Sequence, residues 1–158
     1  MFTLRRVMIG LVVLVAAIQF VPVSYTNPPA ADPVVFTDPK AEQIARKACY
    51  DCHSNETVWP WYSRVAPFSW YVLNHVNEGR SRLNFSDVAA TLAQTREFGP
   101  EAGEPVTAAD LTEEAAKTIN EGEMPPAYYT LIHKDAALSA DEKATLIAGI
   151  NDALLNHK

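Results

Sequence analysis

The sequence predicts an all-α fold. Apolar residues recur at helical spacing behind N-cap residues at Asp38, Thr107 and Ser139. No stretch sustains the alternation of a half-buried strand, and no repeat period is visible. Of the 158 residues, the first twenty or so differ in kind from the rest. About 135 remain, enough for one compact domain and too few for two ordinary ones.

The first element, residues 1–23, reads as a membrane anchor or signal segment. Arg5 and Arg6 precede a run from Val7 to Val23 that only Gln19 and Pro22 interrupt. A helix over those 17 residues reaches roughly 25 Å, slightly under the hydrocarbon thickness of about 30 Å. Windows for signal cleavage are poor, with Ser24-Tyr25-Thr26 marginal, so a retained transmembrane or signal-anchor helix is read in preference to a cleaved peptide. The arginines orient it with the amino terminus in the cytoplasm.

Residues 24–38 read as a Pro-rich periplasmic tether. Asn27-Pro28-Pro29 and Asp32-Pro33 cannot continue a helix and prefer extended backbone. At about 3.1 Å per residue the stretch spans up to roughly 45 Å.

Residues 39–158 form the domain proper, with about five short helices. Asp38-Pro39 opens the first, in which Ala41, Ile44, Ala45 and Ala48 form a stripe that runs directly into Cys49. Trp59-Pro60-Trp61-Tyr62 is an aromatic turn. Pro67 opens a second helix that ends at Gly79, and Ser86 caps a third carrying Val88, Ala89 and Leu92. Residues 98–105 are a loop by composition. Thr107 caps a fourth helix that Gly122 ends, and Glu123-Met124-Pro125-Pro126 must be extended. Ser139 with Glu142 is a capping box for the last helix, whose stripe is Leu146, Ile147, Ile150 and Leu154. Short helices on long connections bury little surface, so a large flat apolar cofactor is expected to fill the middle.

Charge narrows the function. Beyond residue 23 there are 11 basic against 19 acidic residues, which argues against nucleic acid, because phosphate neutralisation needs clustered Lys and Arg. The acidic surface predicts partners with a basic docking surface. Two cysteines three positions apart provide no disulfide framework.

Those cysteines carry the chemistry. Cys49-Tyr50-Asp51-Cys52-His53 is C-x-x-C-H, the attachment signature of c-type haem. Thiols at i and i+3 face one way and can each add across a vinyl group on one porphyrin edge, while the next residue presents an imidazole to the iron. A thioredoxin-like pair expects a βαβ setting, which is absent. A zinc site lacks a second ligand pair. A structural disulfide leaves His53 idle. One covalently attached haem c is therefore expected, with Cys49 and Cys52 as attachment sites and His53 as proximal ligand.

The distal ligand must be Met or His. Met124 is the only methionine outside the first segment, and the prolines after it stiffen the loop that would hold a weak Met–iron bond. The bland alternative, core filler, belongs on a helix stripe rather than in such a loop. His75 and His133 are the competing distal ligands, and His157 is expected to be exposed near the chain end. Trp59, Trp61, Tyr62, Trp70 and Tyr71 follow the motif closely and read as haem-face packing, or as ordinary aromatic core. Arg80 and Arg82 are candidates to pair with haem propionates.

Several segments carry a resemblance: Cys49 to Thr57, Trp59 to Ser63, Ala66-Pro-Phe-Ser-Trp70, His75-Val-Asn-Glu-Gly-Arg80, Leu83-Asn-Phe-Ser86, Gly122-Glu-Met-Pro-Pro126, Tyr129 with His133, and Leu138-Ser139. Over about Lys40 to Gly149 the chain resembles the bacterial haem-binding domain family of monohaem c-type proteins. The resemblance implies a cytochrome c-like helical fold, thioethers at Cys49 and Cys52, and His53 as proximal ligand. It also implies that Met124 is the distal ligand and that His75 or His133 has a role near the haem. The function expected is a membrane-tethered periplasmic electron carrier of the bacterial inner membrane, shuttling single electrons between redox partners, and not an enzyme. One rival is a ligand-binding sensor or peroxidase-like enzyme with an open or displaceable distal site. Another is a fixed haem subunit of a larger membrane complex.

Overall fold

Three of the expected N-caps form as the sequence requires. Asp38 accepts the Lys40 amide at 2.9 Å ahead of Pro39, and Thr107–Asp110 and Ser139–Glu142 close reciprocal capping boxes. The computed structural model describes residues 2–95 and 103–157. Among them the helices are α1 (Phe2–Ile18), α2 (Pro39–Ala48), α3 (Tyr50–His53), α4 (Phe68–Arg82), α5 (Val88–Leu92), α6 (Ala108–Glu121), α7 (Ala127–Ile132) and α8 (Ala140–Leu155). Short 3-10 turns occupy Trp61–Arg64 and Lys134–Ala136. The described residues contain no strand, only isolated bridges between Asp32 and Asp87 and between Thr95 and Pro105. The all-α expectation holds there. The loop expected over 98–105 lies outside the described residues as far as Ala102.

The core gathers where α8 packs on both α2 and α6. Ile44, Ala45, Leu111, Ile119, Leu146, Ile150 and Leu154 meet there, with Tyr50, Phe85 and Val88 continuing the cluster toward α3. Leu146 has no exposed surface, and a Leu→Ala truncation at such a site costs about 2–5 kcal/mol. A Cβ on Gly149 would overlap that of Ala41, so this glycine sets how closely α8 approaches α2.

The expected transmembrane helix is corrected. No helix among the described residues is long and apolar enough to cross a membrane. The helix α1 has 17 residues, roughly 25 Å at 1.5 Å each, and stops at Ile18. Gln19 then turns toward the domain: its amide nitrogen donates to the Ala66 carbonyl at 3.2 Å and its amide oxygen accepts the Ala66 N–H at 2.9 Å. Residues 24–38 carry no helix until Pro39, and part of this stretch lies along the domain. Asn27 donates to the Thr57 carbonyl at 2.9 Å, the Val34 amide to Phe85 at 2.9 Å, and the Val88 amide to Asp32 at 2.9 Å.

The helix count and boundaries also differ from expectation. Backbone at Cys49 leaves the helical region (φ −125°, ψ −38°), so the first helix divides there into α2 and α3. The helix α4 does not end at Gly79 but runs on to Arg82. Asp87, not Ser86, caps α5 by accepting the Ala90 amide, while the Ser86 hydroxyl accepts the Asn55 amide at 2.9 Å. The helix α7, which the sequence analysis did not anticipate, forms directly after the extended Pro126.

Candidate functional site

The break at Cys49 builds the site. Its N–H still closes α2 on the Ala45 carbonyl at 2.8 Å, while its own carbonyl accepts the amides of Cys52 at 3.1 Å and His53 at 2.8 Å. Positions 49, 52 and 53 therefore stand at i, i+3 and i+4 of one helical turn and share its face. The turn is pressed against α4. A Cβ on Gly79 would overlap the Cys52 carbonyl, so helix–helix contact at this point requires glycine and explains why Gly79 lies inside a helix rather than ending one.

Leu83 follows α4 and fixes the imidazole. The Nδ1 atom of His53 lies 3.0 Å from the Leu83 carbonyl, an arrangement in which Nδ1–H donates and Nε2 is the nitrogen available to a metal. The carbonyl of His53 accepts the Phe85 amide at 2.7 Å, and the Phe85 ring lies 6.4 Å from the imidazole. Burial lowers the His53 pKa against the opposing carbonyls of Leu83 and Gly79, which keeps the ring neutral, the form that binds metals.

Both cysteines are unbonded and partly covered. Burial pushes the Cys49 thiol up to about 12, with Cys52 adding to it, and the Cys52 thiol up to about 11, with Asp51 adding to it. A thioredoxin-type redox pair needs the opposite, a lowered thiol pKa. No group of three or more His, Cys, Asp or Glu among the described residues is placed to hold a metal ion, so a cluster-type zinc site is not formed there.

The loop carrying Met124 is pinned at its start. Gly122 takes the left-handed conformation (φ 78°) that ends α6, and the Glu123 and Met124 amides both donate to the Thr118 carbonyl, at 2.9 and 3.1 Å. Met124 is 38% exposed. Beyond it, α7 returns to the motif, where the Tyr129 hydroxyl donates to Asp51 at 2.8 Å. Desolvation and the Asp51 carboxylate both raise the Tyr129 pKa, so the phenol stays protonated and the bond is a charge-assisted donation.

Other expected site residues are dispersed. His75 is half-buried; its Nδ1 lies 2.9 Å from the Tyr71 carbonyl and its ring 5.4 Å from Tyr128. His133 places Nε2 on the Tyr62 hydroxyl at 3.0 Å and stacks on Tyr129 at 4.2 Å. His157 is not free at the chain end but pairs with Asp32 at 2.7 Å. Trp59 packs edge-on against Tyr25 at 5.0 Å, Trp61 is 78% exposed, and Trp70 lies at the surface. Arg80 directs its guanidinium into the protein, donating to Ser54 O, Thr26 O, Asn27 Oδ1 and Thr57 Oγ1. It clamps residues 26–27 to the turn after the motif, and Arg82 is exposed. The sequence reading did not anticipate the parts played by Asp51, Gly79 and Leu83. Only Asp51 had a visible signal, its place inside the motif.

A family model described as haem-binding domain matches residues 13–152. The chain belongs to the haem-binding domain family. No curated protein and no solved structure matches it. It is a haem protein, and its residues fit the porphyrin and its iron. His53 offers a neutral imidazole whose Nδ1 is committed to a carbonyl, the usual support for a metal-binding Nε2. Beside the motif, α4 and α7 meet through Tyr71 and Tyr128, whose rings lie 5.5 Å apart in edge contact and remain 48% and 43% exposed. Such an aromatic surface suits the face of a macrocycle. Two clefts elsewhere, of about 220 Å³ along α1 and about 310 Å³ between residues 19–25 and Arg64–Ser69, do not touch the haem motif.

Proposed function

We propose that this haem-binding chain is a monohaem c-type cytochrome that carries single electrons between protein partners and is not an enzyme. In this reading one haem is attached through Cys49 and Cys52, with His53 as proximal and Met124 as distal ligand. The observation that carries it is the shared face: two protonated thiols and one oriented imidazole on a single helical turn. Bound haem supplies a one-electron iron couple. The chain holds the imidazole rigid through Leu83, presses the motif onto α4 at Gly79, and brings its only thioether beyond residue 23 on a loop fastened to α6. A fixed ligand set limits reorganisation during electron transfer. The excess of acidic over basic residues in the domain supports partners with a basic docking surface. Arg5-Arg6 ahead of an apolar run supports export to the periplasm.

A second reading, a ligand-binding or peroxidase-like haem protein, draws on the 38% exposure of Met124, which makes that side chain displaceable. Electronic absorption of the purified holoprotein, reduced and then exposed to carbon monoxide, separates the two. An unchanged reduced spectrum is expected of the carrier, and a shifted Soret band would favour the second reading.

A further inference from the structure

The helix α7 has six residues and none is buried. Leu131 and Ile132 are 67% and 62% exposed, so apolar burial does little to hold this helix down. What ties it to the haem motif is polar. Tyr129 donates to Asp51 at 2.8 Å across 78 positions of sequence, and His133, at the helix end, meets the Tyr62 hydroxyl at 3.0 Å across 71. Tyr129 and His133 stack with their planes 13° apart, so the two bonds act on one pair of rings.

The receiving side is itself fixed. Asp51 lies between the two cysteines; one of its carboxylate oxygens takes the Tyr129 hydroxyl while the other accepts the Val58 amide at 2.9 Å, and its backbone carbonyl accepts the Thr57 hydroxyl at 2.8 Å. Tyr62 belongs to the 3-10 turn Trp61–Arg64, which packs on α4. At the other end, Met124 precedes the first residue of α7 by three positions, and its loop is bonded to Thr118 of α6. The loop is thus held from two sides, and on the α7 side Asp51 and Tyr62 supply the polar attachment beside the Tyr128 ring, which rests edge-on against Tyr71 and His75 of α4.

We propose that Asp51 and Tyr62 are positioning residues that hold α7, and with it the Met124 loop, against the haem motif. The consequence for Met124 rests on its reading as distal ligand; the attachment of α7 does not.

The test uses the haem-loaded full chain as Tyr129→Phe, Asp51→Asn and the double variant Tyr62→Phe/Tyr129→Phe, with Met124→Ala alongside. Amide hydrogen exchange over residues 127–133 should accelerate about tenfold on losing the Tyr129 bond and further in the double variant, with α8 amides unchanged as the internal sign of an intact fold. The near-infrared charge-transfer band of Met-ligated ferric haem should vanish at lower denaturant concentration while haem stays attached. Exchange over 127–133 as slow in the double variant as in the parent overturns the proposal. Faster exchange with no earlier loss of the band overturns the positioning role toward Met124. A band that survives Met124→Ala sinks the reading of Met124 instead, and the exchange data alone then decide on Asp51 and Tyr62.

Discussion

The His53 imidazole is fastened to the Leu83 carbonyl through Nδ1 at 3.0 Å. The relationship links the residue that follows the second cysteine to the residue that follows α4, across 30 positions. It selects the tautomer with Nε2 unprotonated, the one that binds iron. On the proposed His53–Met124 ligand set, replacing His53 with Gly should abolish a six-coordinate low-spin spectrum, and added imidazole should restore it, because the space left by the ring remains. Absorption spectra with and without imidazole check this; an unaltered spectrum in His53→Gly would assign the iron to another residue.

Gly79→Ala places a methyl group onto the Cys52 carbonyl. Backbone cannot yield as a flexible side chain can, so α4 must withdraw from the motif, at a cost of about 1–3 kcal/mol. Urea unfolding should show a midpoint lowered accordingly, with haem incorporation reduced in the same variant. A control at Gly10, where an added Cβ meets nothing, should leave stability nearly unchanged.

Lys47 and Glu142 join α2 to α8 by an ion pair. The Lys47 ammonium, with the Ser139 amide and hydroxyl, holds the Glu142 carboxyl down to about 2 from its ordinary 4.5. A depressed carboxyl stabilises the fold above its unfolded value, and that contribution is lost as pH falls from about 4.5 toward about 2. The denaturation midpoint should accordingly fall more steeply over that window in the parent than in Glu142→Gln. Parallel curves for the two proteins would mean that the pair contributes nothing.

Much of this was legible in the sequence because local signals and tertiary structure agree. Asp38-Pro39, Thr107 and Ser139 with Glu142 announce helices that form where they point. Legibility fails where the decisive partner is distant. Gly79 looks like a helix end, yet its role is to admit Cys52 from another helix. Arg80 looks free for a propionate, yet residues 26–27 and 54–57 take its donors. The short α7 has no side-chain cap and no buried stripe, so nothing local declares it; contacts to Asp51 and Tyr62 do. The apolar run at the start reads as a spanning segment by composition, while its helix stops at Ile18 and Gln19 bonds to Ala66.

Met124→Ala removes the only methionine sulfur beyond residue 23. In the oxidised holoprotein the weak near-infrared band of Met-ligated haem should disappear, with the haem still attached and the helical circular dichroism retained. Because Met124 is already partly exposed, its truncation should cost well under the ~2–5 kcal/mol of a buried methionine. Persistence of the band would move the distal role to another side chain.

Covalent attachment at the shared face of Cys49, Cys52 and His53 is tested most directly by intact mass after acid–organic extraction. The parent chain should keep the mass of one haem through extraction, and Cys49→Ala/Cys52→Ala should give the bare polypeptide mass. A parent chain that releases its haem, or a double variant that retains it, would contradict the account.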